Sequence, residues 1–368
     1  MPPLQLKFDV TALRRNFNSL RKLAGANPHF IAAIKANAYG HGAVAVARIL
    51  QSIGVYSLAT GSVDEARAIR NAGVGLPILL FASTLPDDIP ELVSEGFIPT
   101  ITSLEGARAV AAAVIGEAPI YIKVDAGLGR LGIPIANAIE VIRAIHGLPH
   151  LQLQGLYTHV SFKDDVGRSW AAGRLAAFDR LVADLHAQGI DFAVTQARAS
   201  SAVLSGLEDR CNAVCIGHAL FGLYPFPIEL ACTQELLPVI AQLSSQLIQV
   251  TQHGQGADLA IANEFGLDRD RIIGVLPVGL AHGISRPAPG KTCEVLVRGR
   301  RIPVLAVSLE HTTVDLTRCP DAEVADTVIL LGHSEDASIK LEEYARWRNE
   351  SSLESLMHLS GHAHVVCQ

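Results

Sequence analysis

Positive charge blocks, long apolar runs and paired cysteines are all missing from this chain, and each absence removes a class of function. The 368 residues carry 30 Lys and Arg against 36 Asp and Glu, a net charge of −6 with no basic block. Electrostatics therefore gives no support to a nucleic-acid partner. No apolar run reaches the ~20 residues that span a bilayer, so no membrane insertion is expected. The start, Met1-Pro2-Pro3-Leu4-Gln5, lacks the basic-then-apolar pattern of a signal peptide. Cys211, Cys215, Cys232, Cys293, Cys319 and Cys367 are scattered, and none forms a CxxC pair. Free thiols in a reducing cytoplasm are expected, rather than a disulfide framework or a zinc site. Aromatics are also few, at 5%, but 49% of the residues are apolar, which suits a compact, enzyme-like protein and excludes disorder.

What is present is alternation. Apolar strand-like runs at Phe30–Ile34, Tyr56–Ala59, Ile78–Ala82, Ile98–Ile101, Ile120–Val124, Leu151–Tyr157, Phe192–Gln196 and Ala213–Ile216 are separated by helical segments. Eight strand–helix alternations of this length predict one closed parallel barrel, a (β/α)8 fold over residues 11–228. Continuous apolar strands fit burial on both faces. After Pro225 the pattern turns to short strands at Ser245–Thr251, Ile272–Gly279, Cys293–Val297, Arg301–Val307 and Thr327–Gly332. Gly, Pro and charged turns separate them, so a mostly β domain is expected over 229–368, joined by a strand from residues 1–10, at Leu4–Asp9.

Active sites of such barrels lie at the C-terminal ends of the strands. Lys35 follows the first strand there, Asp125 and Arg130 the fifth, His159 the sixth, Ser201 the seventh and Gly217 the eighth. A lysine leaving a buried strand suits Schiff-base chemistry, because desolvation favours the free amine; a lysine snorkelling to solvent is the plainer alternative. Arg130, in the loop Ala126-Gly127-Leu128-Gly129-Arg130-Leu131-Gly132, offers a fork for a carboxylate or a phenolic oxygen, or else pairs with Asp125. Gly217, in Cys215-Ile216-Gly217-His218-Ala219, lets backbone amides approach a phosphate, with Ser201 as an added donor, or is a plain turn. His159 has the flat ring to stack on an aromatic cofactor, or satisfies local hydrogen bonds. His358, His362 and His364 lack suitably spaced partners and read as a polar tail rather than a metal site.

The run Ala33-Ile34-Lys35-Ala36-Asn37-Ala38-Tyr39-Gly40-His41-Gly42 closely resembles the cofactor-lysine signature of the alanine racemase family. The resemblance extends from about residue 4 to the C-terminus, through Lys123-Val124-Asp125-Ala126-Gly127-Leu128-Gly129-Arg130-Leu131-Gly132 and Thr312-Thr313-Val314-Asp315-Leu316. It implies a pyridoxal 5'-phosphate enzyme with a barrel and a C-terminal β domain, a racemase acting on an amino acid that could equally be larger or more polar than alanine. Lys35 would carry the cofactor and act as base on one face of the substrate α-carbon. Tyr39, Ser201 and the backbone at Gly217 and His218 would hold the phosphate, His159 would stack on the ring, and Arg130 would face the phenolic oxygen and the substrate carboxylate. Homodimers with shared active sites are implied as well.

Several positions depart from that pattern. In Gly279-Leu280-Ala281-His282-Gly283, Leu280 stands where the family has its second-base tyrosine. Cys215 replaces the arginine at the pyridine nitrogen, and Leu309-Glu310 replaces a Met-Asp pair of the substrate pocket. The family's Arg-Val-Pro-Arg stretch is lost in Ser360-Gly361-His362-Ala363-His364, and the phosphate tyrosine before it has no clear counterpart. Racemisation needs a proton removed on one face and delivered on the other, and leucine does neither. If the segment is extended, His282 shares a face with Leu280 and is the expected replacement base, backed by His311 or Glu310. A one-sided lyase, aldolase or decarboxylase, or a catalytically silent cofactor-binding protein, are the alternatives to a racemase.

Overall fold

The computed structural model describes every residue except 1–2, 83–84, 234, 262–263 and 266, and only the backbone of the short strands at Ala260–Ile261 and Glu264–Phe265. The chain forms two compact units, one of Thr11–Ala38 and Ala43–Leu237, the other of Met1–Val10, Tyr39–Gly42 and Pro238–Gln368.

The first unit is the expected parallel barrel. Its strands are His29–Ala33, Ser57–Thr60, Ile78–Leu80, Ile98–Ile101, Ala118–Asp125, Leu151–Val160, Val194–Arg198 and Ala213–Ile216. Each pairs with its sequence neighbour, and the last pairs with the first, so no edge remains. One side chain from each strand fills the barrel: Ile31, Ala59, Leu79, Ile98, Tyr121, Tyr157, Val194 and Ala213, with Cys215 and Phe81 packed against them. The large Tyr121 ring fits because Gly155 faces it; a Cβ at 155 would lie 2.5 Å from the ring. Helices between the strands start on short polar caps. Ser103 accepts from Gly106 N at 3.1 Å, and Asp164 from Gly167 N at 2.8 Å.

The second unit is a sheet in the order Gln249–His253, Arg271–Leu276, Thr312–Asp315, Arg300–Val307, Glu294–Val297, Thr327–Ser334, Ile240–Gln246, Gln5–Phe8 and His364–Cys367. The N-terminal strand pairs antiparallel with Ile240–Gln246 and buries Leu6 and Phe8. Three local expectations change. The single strand at Ser245–Thr251 is two strands, because Leu247 N bonds Asp326 O at 3.0 Å while Ile248 N bonds Val275 O at 2.9 Å, so the chain switches partners at a corner. Helices at Leu341–Arg346 and Ser352–Ser360 interrupt the β pattern. The histidine-rich tail is not a loose polar end: His364–Cys367 runs parallel to Gln5–Phe8, with His364 N on Leu4 O at 2.9 Å. Among the described residues no helix is long and apolar enough to cross a membrane.

Candidate active site

The segment after the first barrel strand has an unusual backbone. Ala36, Asn37, Ala38 and Tyr39 all have positive φ, from 53° to 55°. Ala38 N bonds Ile34 O at 2.8 Å, closing one left-handed helical turn directly after Lys35. Non-glycine residues avoid this region because Cβ crowds the following carbonyl, at about 1–2 kcal/mol per residue. Four in succession persist only where surrounding contacts hold them, and such strain concentrates at functional sites.

Lys35 is exposed at the barrel mouth, yet burial of its surroundings and the nearby Arg130 charge hold its amine below the ordinary lysine range, against the opposing effect of Cys215. Lys123 lies in the same electrostatic neighbourhood. It is buried, its Nζ sits 5.5 Å from the Tyr157 ring centre, and burial, then Arg130 and Lys35, lower it to about 8. Arg130 itself is exposed and makes no ion pair among the described residues. The Asp125 partnership weighed for it does not form. That carboxylate accepts instead from Gly127 N and Gly129 N, both at 2.8 Å, and shapes the glycine loop. Gly132 closes the loop at φ +126°, where a Cβ would lie 2.7 Å from Asp125 N.

His159 sits inside the sixth strand rather than after it. Tyr157 pairs Gln196 and Val160 pairs Arg198, so an extra residue bulges at 158–159. Bulges re-aim side chains next to active sites. Burial, followed by the charges of Lys35, Lys123 and Arg130, pushes His159 down to about 3, and burial with Lys35 brings His218 to about 4. Both rings are therefore neutral at pH 7. Cys215 is pushed up to about 12 by burial, so it is a neutral thiol on the barrel floor. At the seventh and eighth strand ends, Gly217 N donates to Ser200 Oγ at 3.3 Å, and Ser201 Oγ is buried without a hydrogen-bond partner.

The barrel unit thus gathers Lys35, Arg130, His159, Ser201, Cys215, Gly217 and His218 at one end. Lys123 joins this group although its motif alone assigns it no role. Its signal was a lysine two residues from Tyr121 in a strand buried on both faces, which places it on the barrel-interior side. The donor set suits an anionic, aromatic cofactor: cations without a paired carboxylate among the described residues, the unpartnered Ser201 hydroxyl, and flat neutral rings.

Tyr39, Leu280, His282, Leu309 and Glu310 belong to the other unit. There the backbone joins two loops, with Leu280 N on Ser308 O at 3.0 Å and Ala281 N on Leu309 O at 2.8 Å. Gly279 permits the approach, since a Cβ would meet Ser308 O at 2.4 Å. The expectation of an extended segment is corrected: Leu280–His282 is a 3-10 turn, so Leu280 and His282 do not share a face through period-two alternation. His282 Nδ1 accepts from Gly279 N at 3.2 Å and stabilises that turn.

Known proteins match this chain along its length. The family described as alanine racemase, N-terminal domain, matches residues 8–225, and alanine racemase, C-terminal domain, residues 240–367. An alanine racemase of Desulforamulus reducens is 31% identical, with 94% of this chain and 93% of the relative covered. One from Methanococcus maripaludis is 29% identical, covering 93% and 92%. The solved alanine racemase of Clostridium difficile 630 superposes with a TM-score of 0.90 at 25% identity, covering 100% of this chain and 96% of that one. Both domain families follow one another here in a single chain, over nearly its whole length, and the protein belongs to the alanine racemase family.

Proposed function

We propose that this chain is a cytoplasmic, pyridoxal-phosphate-dependent amino-acid racemase of the alanine racemase type, working as a homodimer with shared active sites. The observation that carries the reading is the electropositive barrel mouth, where burial and the nearby Arg130 charge hold the Lys35 amine below its ordinary range. The cofactor, when bound, supplies an electron sink that acidifies the amino acid's α-hydrogen. Lys35 holds the cofactor and, with its amine held below the ordinary lysine range by burial, takes or returns a proton on one face. Ser201, Tyr39 and the backbone at Gly217 and His218 hold the phosphate. His159 offers an uncharged face to the ring, and Arg130 orients the substrate carboxylate. Cys215 stays protonated and neither enforces nor forbids a proton on the ring nitrogen.

Leu280, Leu309 and Glu310 would line the substrate side. A second reading, a one-sided enzyme acting on one enantiomer, is favoured by one observation. Nδ1 of His282 accepts from Gly279 N, so that nitrogen is committed to the turn rather than free to act as a base. Incubating the purified protein with D- and L-amino acids in deuterated buffer separates the readings. Deuterium at the α-carbon with loss of configuration supports racemisation. Deuterium with retained configuration supports the one-sided enzyme, and no exchange with any amino acid overturns both.

A further inference from the structure

The left-handed turn after Lys35 needs something to hold it, and the contacts identify what does. Ser62 caps the helix Val63–Asn71 by accepting from Glu65 N at 3.2 Å. A Glu at that third position ordinarily turns its carboxylate back to the cap's own backbone amide, completing a capping box. Here it does not. Glu65 Oε1 accepts from Asn37 N at 2.6 Å, in the middle of the left-handed turn, while Oε2 accepts from Thr60 Oγ1 at 2.5 Å. Thr60 is fully buried at the end of the second barrel strand. The turn is held from its other side by Asn37 Oδ1, which accepts from Ala43 N at 2.8 Å at the start of the next helix. One carboxylate therefore ties a barrel strand and a helix to the backbone two residues beyond Lys35.

We infer that Glu65 is a positioning residue for Lys35: its carboxylate clamps the strained turn and so fixes where the lysine amine enters the barrel mouth. The inference rests on the reading of Lys35 as the cofactor-bearing lysine. Glu65 touches neither Lys35 nor the reacting atoms, and it acts through the Asn37 amide. A hydrogen bond to an ionised acceptor is stronger than a neutral one, so its removal lets the turn relax toward ordinary backbone. Glycine at position 36 lowers the strain itself, because it enters the left-handed region without a Cβ clash.

The test follows uptake of pyridoxal phosphate by cofactor-free protein, read as growth of the visible absorbance of lysine-bound cofactor. Borohydride reduction and peptide mass spectrometry then locate the label at Lys35. Glu65→Ala is expected to slow uptake roughly ten-fold, Glu65→Gln to keep most of the wild-type rate by retaining an acceptor, and Ala36→Gly in the Glu65→Ala background to recover much of the loss. If Glu65→Ala does not fold, Thr60→Val removes the carboxylate's other anchor and is expected to slow uptake less. Wild-type rates in both Glu65→Ala and Thr60→Val overturn the clamp. So does slow uptake by Glu65→Ala that Ala36→Gly leaves unchanged. Wild-type protein that takes up no cofactor at Lys35 overturns the underlying reading and the clamp with it, so the two failures are told apart.

Discussion

Lys35 and Lys123 are both held below the ordinary lysine range, but only Lys35 is open to solvent. Access thus separates the lysine suited to bond formation from one that adds charge to the floor of the same mouth. Arg130 contributes to lowering both, so Arg130→Gln should raise the pKa of Lys35. The pH dependence of Lys35 labelling by pyridoxal phosphate in cofactor-free protein would move to higher pH; an unmoved profile would show that burial alone sets the amine. His159 and His218 are also lowered by burial, and they link stability to pH near neutrality. Their folded values, about 3 and about 4, lie below the ordinary 6.5, so the unfolded chain binds protons first as pH falls. Stability is present above about pH 6.5 and is lost as pH drops toward 4. Each ring should account for about 1–2 kcal/mol of that loss by pH 5. Urea unfolding at pH 7 and pH 5 checks this, with His159→Gln and His218→Asn expected to shrink the difference. On the substrate side, Leu280→Tyr should raise racemisation relative to one-sided exchange by supplying a phenol where leucine has no transferable proton. An unchanged ratio in the deuterium assay would mean that a second base is already in place.

At the scale of elements, three local irregularities fall at the proposed site residues, and each breaks a regular pattern. The left-handed turn departs from right-handed backbone, the bulge at 158–159 departs from period-two pairing, and Leu280–His282 replaces an extended run with a 3-10 turn. Regular elements follow from apolar spacing and were legible as such: all eight barrel strands appear at nearly the expected places. The irregular ones depend on long-range partners, such as Glu65 for Asn37 and Ser308 for Leu280, which spacing does not encode. The Leu280–His282 turn is where sequence reasoning failed, since alternation was assumed in a stretch whose backbone is captured by another loop. Gly155 shows how tightly the regular part is packed. Gly155→Ala should destabilise the barrel by about 1–3 kcal/mol through overpacking against Tyr121. Urea denaturation of the single and double variants with Tyr121→Leu tests the cause, because relief of the clash makes the two changes non-additive.

For the whole molecule, the proposed site residues divide between two units, with Lys35, Arg130, His159, Ser201, Cys215, Gly217 and His218 in the barrel and Tyr39, Leu280, His282, Leu309 and Glu310 in the other. The neighbouring leucines of that second unit are conspicuous in being open, Leu280 at 41% and Leu309 at 67%. Apolar side chains left open beside one another suit an interface between copies of the chain. Leu309→Asp should therefore weaken self-association at least ten-fold, measured by sedimentation velocity over a concentration series. An unchanged sedimentation profile would place Leu309 outside any such interface.

The sequence by itself determined the barrel, the β-rich second part and the family, and it singled out Lys35 as the proposed anchor, because those rest on the periodicity of apolar residues and on contiguous motifs that survive in any folded context. It also raised Leu280 as the position to test, since a departure within a motif is readable without coordinates. Only the tertiary structure decided how the anchor is held and what surrounds it. Strain in the turn after Lys35, the interior place of Lys123, the bulge that aims His159 and the commitment of His282 Nδ1 to Gly279 all arise from contacts between residues distant in the chain. The physical reason is that spacing fixes which face a residue occupies, whereas proton affinity and backbone strain depend on what the fold brings against it.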